Sequence, residues 1–360
     1  FIERDYQLKK RAEVLGIITK DTFCFAVAGT HGKTTTSGIL GHILNESGAD
    51  VTAFIGGIVE NYNSNLIGSG KTVTVVEADE FDRSFLHLHP NIACITSMDA
   101  DHLDIYGTSE AIEESFLEFA SKIEDKSNLF ITKELPIEGV TCAVNEDAVF
   151  KAFNVRIGNG SYVFDVQTPT EVIKDLHFGL PGRHNLMNAL MAIAMAKLFG
   201  TPTDAIAKAI MSFKGIKRRF SYQIKTEAKV YIDDYAHHPT EINAVHQAVR
   251  ELYPNQKVLA VFQPHLFSRT RDFADDFAKS LSAFDDIILL DIYTARELPM
   301  EGINSQWLMD KMTNSHKKIV VKDDLIATIL ASDAPIIVTI GAGDIGELVP
   351  SIKKAINETL

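Results

Sequence analysis

The sequence has few cysteines, no long apolar run and a deficit of positive charge. Its three cysteines, Cys24, Cys94 and Cys142, lie among apolar residues without metal-ligand spacing, which predicts buried reduced thiols and a cytoplasmic protein. No apolar run reaches the ~18 residues that a membrane-spanning helix needs. The formal net charge of -13 argues against nucleic acid or an anionic membrane as the main partner.

A glycine-bounded turn follows the apolar segment 23–28 and precedes a helical pattern that opens with Lys33 and three threonines. Glycines let backbone N–H groups approach an anion, Lys33 adds a positive charge, and the Thr34 hydroxyl can bind Mg²⁺. The spacing is that of a shortened P-loop, since Val27 stands where the common pattern has its first glycine. The alternative is a turn that contains two glycines and a lysine by chance. The residues predicted to bind a nucleotide phosphate are Gly29, Thr30, His31, Gly32, Lys33, Thr34 and Thr35.

The fold class follows from the order of the predicted elements. Helical patterns alternate with apolar strands, most regularly after residue 229, and this alternation predicts parallel sheets covered on both faces. We expect an α/β protein with a P-loop mononucleotide-binding domain over 1–214 and a Rossmann-like, doubly wound C-terminal domain over 215–360. The boundary is placed where a helix ends at a glycine and the basic cluster Lys217-Arg218-Arg219 begins.

Two strands of the first domain end in polar residues that suit a metal ion. One strand ends at Glu77, and the next leads into a segment that carries His102 among three aspartates. Because ligands gather at the carboxyl ends of parallel strands, we predict that Glu77 and His102 bind Mg²⁺ near the phosphates. The alternatives are that Glu77 caps the following helix and that His102 is a solvated or structural loop residue.

Other polar groups stand at the starts of helices. His184, Asn185 and Asn188 lie within one turn and can meet one edge of a ligand, although Asn185 can instead cap its helix. In the second domain His265, Arg269 and Arg271 have the pattern of an anion clamp, with a structural salt-bridge cluster as the alternative. The glycine pattern over 341–346 resembles a dinucleotide fingerprint but lacks the acidic residue downstream, so we interpret it as a tight turn.

Taken together, these segments resemble the Mur ligase family. The matching segments run in the family's order along nearly the whole chain and are Gly29 to Thr36, Glu77 to Glu80, Asp101 to Asp104, Gly182 to Ala189, Lys217 to Phe220, Asp233 to Glu241 and Gln263 to Arg271. Leu266 departs from the arginine that some members have there. The family has three domains, so the resemblance implies a UDP-binding domain before Phe1 that this sequence lacks.

The resemblance implies an ATP-dependent ligase of cytoplasmic peptidoglycan synthesis. It would use ATP and Mg²⁺ to convert the carboxylate of UDP-N-acetylmuramic acid to an acyl phosphate, which the amine of L-alanine attacks with release of phosphate. A monomer or weak homodimer is expected. The alternatives are a murein peptide recycling ligase of the same family, another P-loop kinase or ATPase, and a non-catalytic nucleotide-binding module.

The resemblance also assigns roles to individual residues. Lys33, Glu77 and His102 would be catalytic, and Thr34, Glu77 and His102 would bind Mg²⁺. His184, Asn185 and Asn188 would border the adenine, while Arg219 would reach the nucleotide phosphates. The residues implied on the amino-acid side are Tyr235, His237, His265, Arg269 and Arg271.

Overall fold

The structure of the chain is a computed structural model that describes residues 8–99, 106, 108–158 and 161–360. The chain divides into two compact units, Phe1–Ile216 and Lys217–Leu360. Each unit has its own sheet, with helices packed on it. Among the described residues, no helix combines the length and the apolar character needed to cross a membrane.

The first unit is built on a ten-stranded sheet in the order β10-β9-β8-β7-β6-β5-β1-β4-β2-β3. Strands β8 to β2 of that order run parallel, whereas β9, β10 and β3 are antiparallel additions at the two edges. The strands are β1 Phe23–Ala28, β2 Val51–Val59, β3 Ser64–Gly68, β4 Val73–Glu77, β5 Ile92–Ile95, β6 Leu129–Thr132, β7 Val140–Val144, β8 Phe150–Gly158, β9 Ser161–Gln167 and β10 Val172–Phe178.

Strand β1 lies inside this sheet, between β4 and β5. Its residues are apolar on both faces, as expected for a strand that helices cover on each side. Phe25 and Val27 belong to one buried cluster, while Cys24 and Ala26 belong to the cluster on the other face. The turn that follows β1 therefore starts from a rigid, central position. The helices of this unit are α1 Arg11–Lys20, α2 Lys33–Glu46, α3 Ser109–Ser121, α4 Arg183–Phe199 and α5 Thr203–Ser212.

The second unit has a six-stranded sheet in the order β11-β12-β16-β13-β14-β15. All neighbouring strands are parallel except β11 and β12. Strand β16 lies in the middle, between β12 on one side and β13 on the other, and β14 and β15 continue the sheet beyond β13. The strands are β11 Ser221–Lys225, β12 Val230–Asp234, β13 Val258–Phe262, β14 Asp286–Leu289, β15 Lys317–Ile319 and β16 Ile336–Ile340. The predicted α/β class, with a P-loop sheet followed by a Rossmann-like sheet, is confirmed.

The helices of the second unit cover both faces of its sheet. They are α6 Pro239–Leu252, α7 Phe267–Asp272, α8 Ala274–Leu281, α9 Ser305–Lys311, α10 Lys322–Leu330 and α11 Ile345–Asn357. The sequence predicts one helix over 271–282, but the structure has two, because the backbone at Phe273 leaves the helical region (φ -115°, ψ 23°). Because of this break, Arg269 belongs to a separate short helix, α7, near the carboxyl end of β13.

Candidate functional site

The turn after β1 needs glycine at both of its ends. Gly29 and Gly32 have φ of 132° and 82°, in the region that side chains disfavour. A Cβ on Gly29 would lie 2.1 Å from the Thr96 hydroxyl oxygen, and one on Gly32 would lie 2.5 Å from the Asn188 Oδ1. The two glycines thus allow neighbouring polar side chains to approach the turn from β5 and from α4.

The segment after β5 holds the turn by hydrogen bonds. The Thr30 and Ser97 hydroxyl oxygens are 2.9 Å apart, and the His31 backbone N–H donates to the Ser97 hydroxyl at 2.8 Å. The Thr96 hydroxyl donates to the His31 carbonyl at 2.5 Å. The His31 Nε2 lies 3.2 Å from a carboxylate oxygen of Asp99. The turn is therefore preorganised from the neighbouring strand rather than by its own residues alone.

Lys33 is the first residue of α2, and its ammonium contacts four oxygen atoms of the protein, the most distant being the Thr30 carbonyl oxygen at 3.5 Å. It donates to the Gly29 carbonyl at 2.7 Å and lies 2.8 Å from each carboxylate oxygen of Glu80. Burial by itself lowers the pKa of Lys33, but the neighbouring carboxylates, chiefly that of Glu80, outweigh this effect and raise that pKa above its ordinary value. Lys33 thus stays charged at the mouth of the turn. The pairing with Glu80 is a feature that sequence reasoning missed.

Thr34 and Glu77 meet at the end of β4. The Thr34 hydroxyl donates to the Glu77 Oε1 at 2.9 Å, and the Gly56 backbone N–H donates to the Glu77 Oε2 at 2.7 Å. Hydroxyl and carboxylate oxygens are the donors that Mg²⁺ prefers, so these two residues fit the predicted ion. Asp79 instead caps the next turn by accepting the Phe81 N–H at 3.1 Å.

The predicted metal ligand His102 lies outside the described residues, as does the whole segment Asp101 to Asp104. Within the described part of the chain, no group of three or more His, Cys, Asp and Glu side chains is arranged to hold a metal ion. The described part of the predicted magnesium site is therefore the pair Thr34 and Glu77. Thr35, a further predicted phosphate residue, is buried in the first turn of α2.

The start of α4 separates the three residues predicted to border adenine. Asn188 is buried against Gly32, as described above, whereas His184 is exposed. Asn185 is buried, and its amide donates to the Pro181 carbonyl at 2.7 Å. That hydrogen bond holds the turn before α4, so Asn185 has the local structural role that the sequence left open. Asn188 is the member of the three that the structure brings to the P-loop.

In the second unit, the segment between β12 and α6 forms a compact cluster. His237 lies with its ring centroid 5.4 Å from that of Tyr235, and the Glu241 Oε2 accepts the backbone N–H groups of His237 and His238 at 2.9 and 3.2 Å. The Arg219 guanidinium lies over the Tyr235 ring and 3.7 Å from the Glu241 Oε1. Glu241, which sequence reasoning did not single out, therefore links the predicted residues Arg219 and His237.

The segment after β13 adds His265 and Arg269 to this cluster. The His265 ring lies 6.0 Å from the His237 ring and 5.7 Å from the Tyr293 ring, and its Nδ1 is 3.5 Å from the Arg269 guanidinium. Burial lowers the pKa of His265 to about 4, and the positive charges of His237 and Arg269 act in the same direction. The imidazole is therefore neutral beside a buried guanidinium.

Arg271 is not brought into this group. Its guanidinium is exposed and lies 2.7 Å from the carboxylate of the adjacent Asp272. Tyr235, His237, His265 and Arg269 thus converge at the carboxyl ends of β12 and β13, where a doubly wound sheet binds its ligands. Arg271 points to a different neighbour.

The glycine turn over 341–346 packs closely at the same carboxyl ends of the strands. A Cβ on Gly343 would lie 2.4 Å from the Gln263 Oε1 and 2.7 Å from the Tyr293 Cβ. The Ile345 backbone N–H donates to the Gln263 Oε1 at 2.9 Å. The side chain of Gln263 is therefore packed directly against this turn, which agrees with the interpretation as a tight turn.

Two known domain families match the chain: the Mur ligase middle domain over residues 27–196, and the Mur ligase, glutamate ligase domain over residues 218–343. The chain is 82% identical over its 360 residues to UDP-N-acetylmuramate--L-alanine ligase of Flavobacterium johnsoniae, and it covers 80% of that protein. A crystal structure of UDP-N-acetylmuramate-alanine ligase MurC from Thermotoga maritima matches 97% of the chain and 78% of its own, with a TM-score of 0.80 and 25% identity.

A more distant likeness is to the MurF ligase of Thermotoga maritima, whose structure was solved in complex with ADP. It matches 99% of this chain and 86% of its own with a TM-score of 0.73 and 16% identity. At that identity the likeness concerns the fold alone.

Proposed function

The chain belongs to the Mur ligase family, and we propose that it is an ATP-dependent ligase that joins L-alanine to UDP-N-acetylmuramate in the synthesis of the peptidoglycan precursor. The relative with 82% identity over the full length of the chain carries that activity in its name. The observation in the structure that carries the proposal is the P-loop, where Lys33 and the Thr34–Glu77 pair stand together at the mouth of one turn. The buried, unpaired thiols of the three cysteines support a cytoplasmic location.

In the first unit, we place the phosphates of ATP on the turn from Gly29 to Gly32. The start of α2 directs its backbone N–H groups and the positive end of its dipole at an anion there. The ammonium of Lys33 can exchange one of its protein contacts for a terminal phosphate oxygen, since it has only three donors. Asn188, in contact with Gly32, is then the α4 residue next to the nucleotide. This positioning and charge stabilisation provide most of the catalysis in phosphoryl transfer.

We propose that Thr34 and Glu77 bind Mg²⁺, with His102 as the further predicted ligand. The ion neutralises charge on the phosphate oxygens when it is bound. Glu77 is held on both of its oxygen atoms, by Thr34 and by the Gly56 N–H. Its carboxylate is thereby fixed in orientation before any ligand arrives.

In the second unit, we assign the L-alanine end of the reaction to the cluster of Tyr235, His237, His265 and Arg269. A buried guanidinium binds a carboxylate more strongly than an exposed one, because less water competes for it. Arg269 is 8% exposed and is our candidate for the alanine carboxylate. The neutral His265 adds no positive charge that would repel the ammonium form of the amino acid. Arg219 stays a predicted phosphate ligand, and Arg271 a predicted residue of the amino-acid side.

The test is phosphate release from ATP by the full-length protein that contains this chain and its UDP-binding domain, with each substrate alone and with both together. We expect release only when UDP-N-acetylmuramate and L-alanine are both present, in step with formation of the alanyl product. Release with the muramyl nucleotide replaced by another acceptor would identify a different kinase or ATPase. Activity with a murein tripeptide in place of L-alanine would identify the recycling ligase. Nucleotide binding without any turnover would identify a non-catalytic nucleotide-binding module.

A further inference from the structure

The last residues of the first unit, 212–216, are bound to the turn between β2 and β3, and we call them the exit segment. The side-chain amide of Asn61 donates to the Ser212 carbonyl at 2.8 Å. The Asn61 Oδ1 accepts the backbone N–H of Lys214, also at 2.8 Å. One asparagine side chain thus satisfies a backbone acceptor and a backbone donor of the exit segment.

The helix that begins at the P-loop, α2, holds the exit segment through His42. The His42 Nδ1 lies 2.7 Å from the Tyr62 hydroxyl oxygen, and its Nε2 lies 2.9 Å from the Ser212 hydroxyl oxygen. Because the Ser212 hydroxyl itself donates to the Ala209 carbonyl at 3.1 Å, the donor between His42 and Ser212 is the ring N–H. Burial lowers the pKa of His42 and so favours the neutral ring, which has one donor and one acceptor for these two partners.

Ile216, the last residue of the exit segment, packs between α2 and β2. It is almost fully buried and forms an antiparallel bridge with Val59 of β2. A Cβ on Gly38 of α2 would lie 2.8 Å from the Ile216 Cδ1. A Cβ on Gly57 of β2 would lie 2.9 Å from the Ile216 Cγ2 and 3.1 Å from the Thr34 Cγ2. The chain therefore leaves the first unit from a position that is packed on the P-loop helix, close to Thr34.

We propose that Asn61 and His42 are positioning residues of the ligation reaction, because they hold the exit segment on the P-loop helix. The inference rests on the proposed function, in which ATP binds to the first unit and L-alanine to the second. The chain enters the second unit directly after Ile216, so a displaced exit segment misplaces the amino-acid site. A misplacement of about 1 Å can lower a reaction rate about a hundredfold, even when its cause lies far from the reacting atoms. Among the described residues, the hydrogen-bond partners of both side chains are ones to which no substrate is assigned, so each substrate should still bind normally.

The experiment measures ligation kinetics of the full-length protein with Asn61→Ala and with the control Asn65→Ala, an exposed asparagine of the same hairpin. We expect Asn61→Ala to lower kcat about tenfold while the KM values for ATP and L-alanine stay the same. Asn65→Ala should match the wild type. At the second position, His42→Ala should lower kcat in the same way, and His42→Gln should recover part of the loss because glutamine keeps a donor for the Ser212 hydroxyl. Hydrogen exchange followed by mass spectrometry should show faster exchange of the exit segment in Asn61→Ala, with the rest of α2 unchanged.

Three results would overturn the inference. A lower unfolding temperature of Asn61→Ala with an unchanged kcat would mean that Asn61 has a structural role alone. A raised KM for ATP or L-alanine that accounts for the lost activity would place the effect at a substrate site. A kcat that falls equally in Asn61→Ala and Asn65→Ala would show that the bonds to the exit segment are unimportant. The phosphate-release assay on the wild-type protein reports on the proposed function separately, so the two failures can be told apart.

Discussion

The ammonium of Lys33 lies 2.8 Å from both carboxylate oxygens of Glu80. Both side chains are largely buried, with 13% and 2% of their surface exposed. Removing one partner of such a pair leaves the other charge poorly compensated in a medium of low dielectric constant. The charge balance of the P-loop therefore depends on a residue that stands 47 positions away in the chain.

Glu80→Gln tests this dependence, because glutamine keeps the shape of the side chain and removes its charge. We expect the ligand-free variant to lose about 1–3 kcal/mol of unfolding free energy. ATP with Mg²⁺ should stabilise the variant more than the wild type, since a phosphate then replaces the missing negative charge near Lys33. Thermal unfolding with and without nucleotide measures both effects. The control is Glu118→Gln on the exposed face of α3, and equal nucleotide-induced shifts in variant and wild type would contradict the expectation.

Gly32 and Gly48 form a matched pair for the glycine requirement of the P-loop. Their φ angles are 82° and 83°, so an alanine at either position must adopt the same disfavoured φ. A Cβ on Gly48 meets nothing within 4 Å, whereas one on Gly32 meets the Asn188 Oδ1 at 2.5 Å. We expect Gly48→Ala to cost about 1 kcal/mol of stability and to keep its ATP affinity. Gly32→Ala should lose at least tenfold in ATP affinity in a calorimetric titration, and equal affinities in the two variants would show that the contact with Asn188 is unimportant.

The sequence predicted the P-loop correctly because its signals are local. An apolar strand, two glycines and a lysine at a helix start lie within 14 residues, and the structure places α2 from Lys33 onward. The partner of Lys33 could not be predicted in this way. Glu77 ends β4 and Asp79 and Glu80 follow it, so three carboxylates lie close together in the sequence and the spacing does not tell which of them faces Lys33.

The second unit shows the same division between local and distant information. Parallel strands and their ends were predicted from apolar runs, and His265 and Arg269 were singled out from one segment. Glu241 was not singled out, because its role depends on its contact with Arg219, which belongs to a separate segment before β11. The break at Phe273 between α7 and α8 was also missed, since the residues around it continue a helical pattern.

His265 should make the stability of the protein depend on pH. Its pKa is about 4 in the folded chain and 6.5 in the unfolded one, so the folded state binds the proton less readily. Its contribution to stability is complete above pH 6.5 and is lost as the pH falls from 6.5 towards 4. We expect His265→Gln to reduce the slope of unfolding free energy against pH in that window, by about 1–2 kcal/mol in total after solvent screening. Urea unfolding at a series of pH values measures it, and parallel curves for variant and wild type would contradict it.

Arg269 and Arg250 lie near opposite ends of the parallel strands in the second sheet, so the same substitution can be compared at the two ends. Arg269 follows the carboxyl end of β13 and is buried beside His265, whereas Arg250 pairs at 2.6 Å with Asp285 just before β14. Lysine keeps the positive charge but cannot form two parallel hydrogen bonds with a carboxylate. We expect Arg269→Lys to raise the KM for L-alanine at least tenfold while the KM for ATP stays the same. Arg250→Lys should leave both constants unchanged, because Arg250 lies at the amino ends of the strands and such folds bind ligands at the carboxyl ends. A KM for L-alanine that is the same in the two variants would remove Arg269 from the amino-acid site.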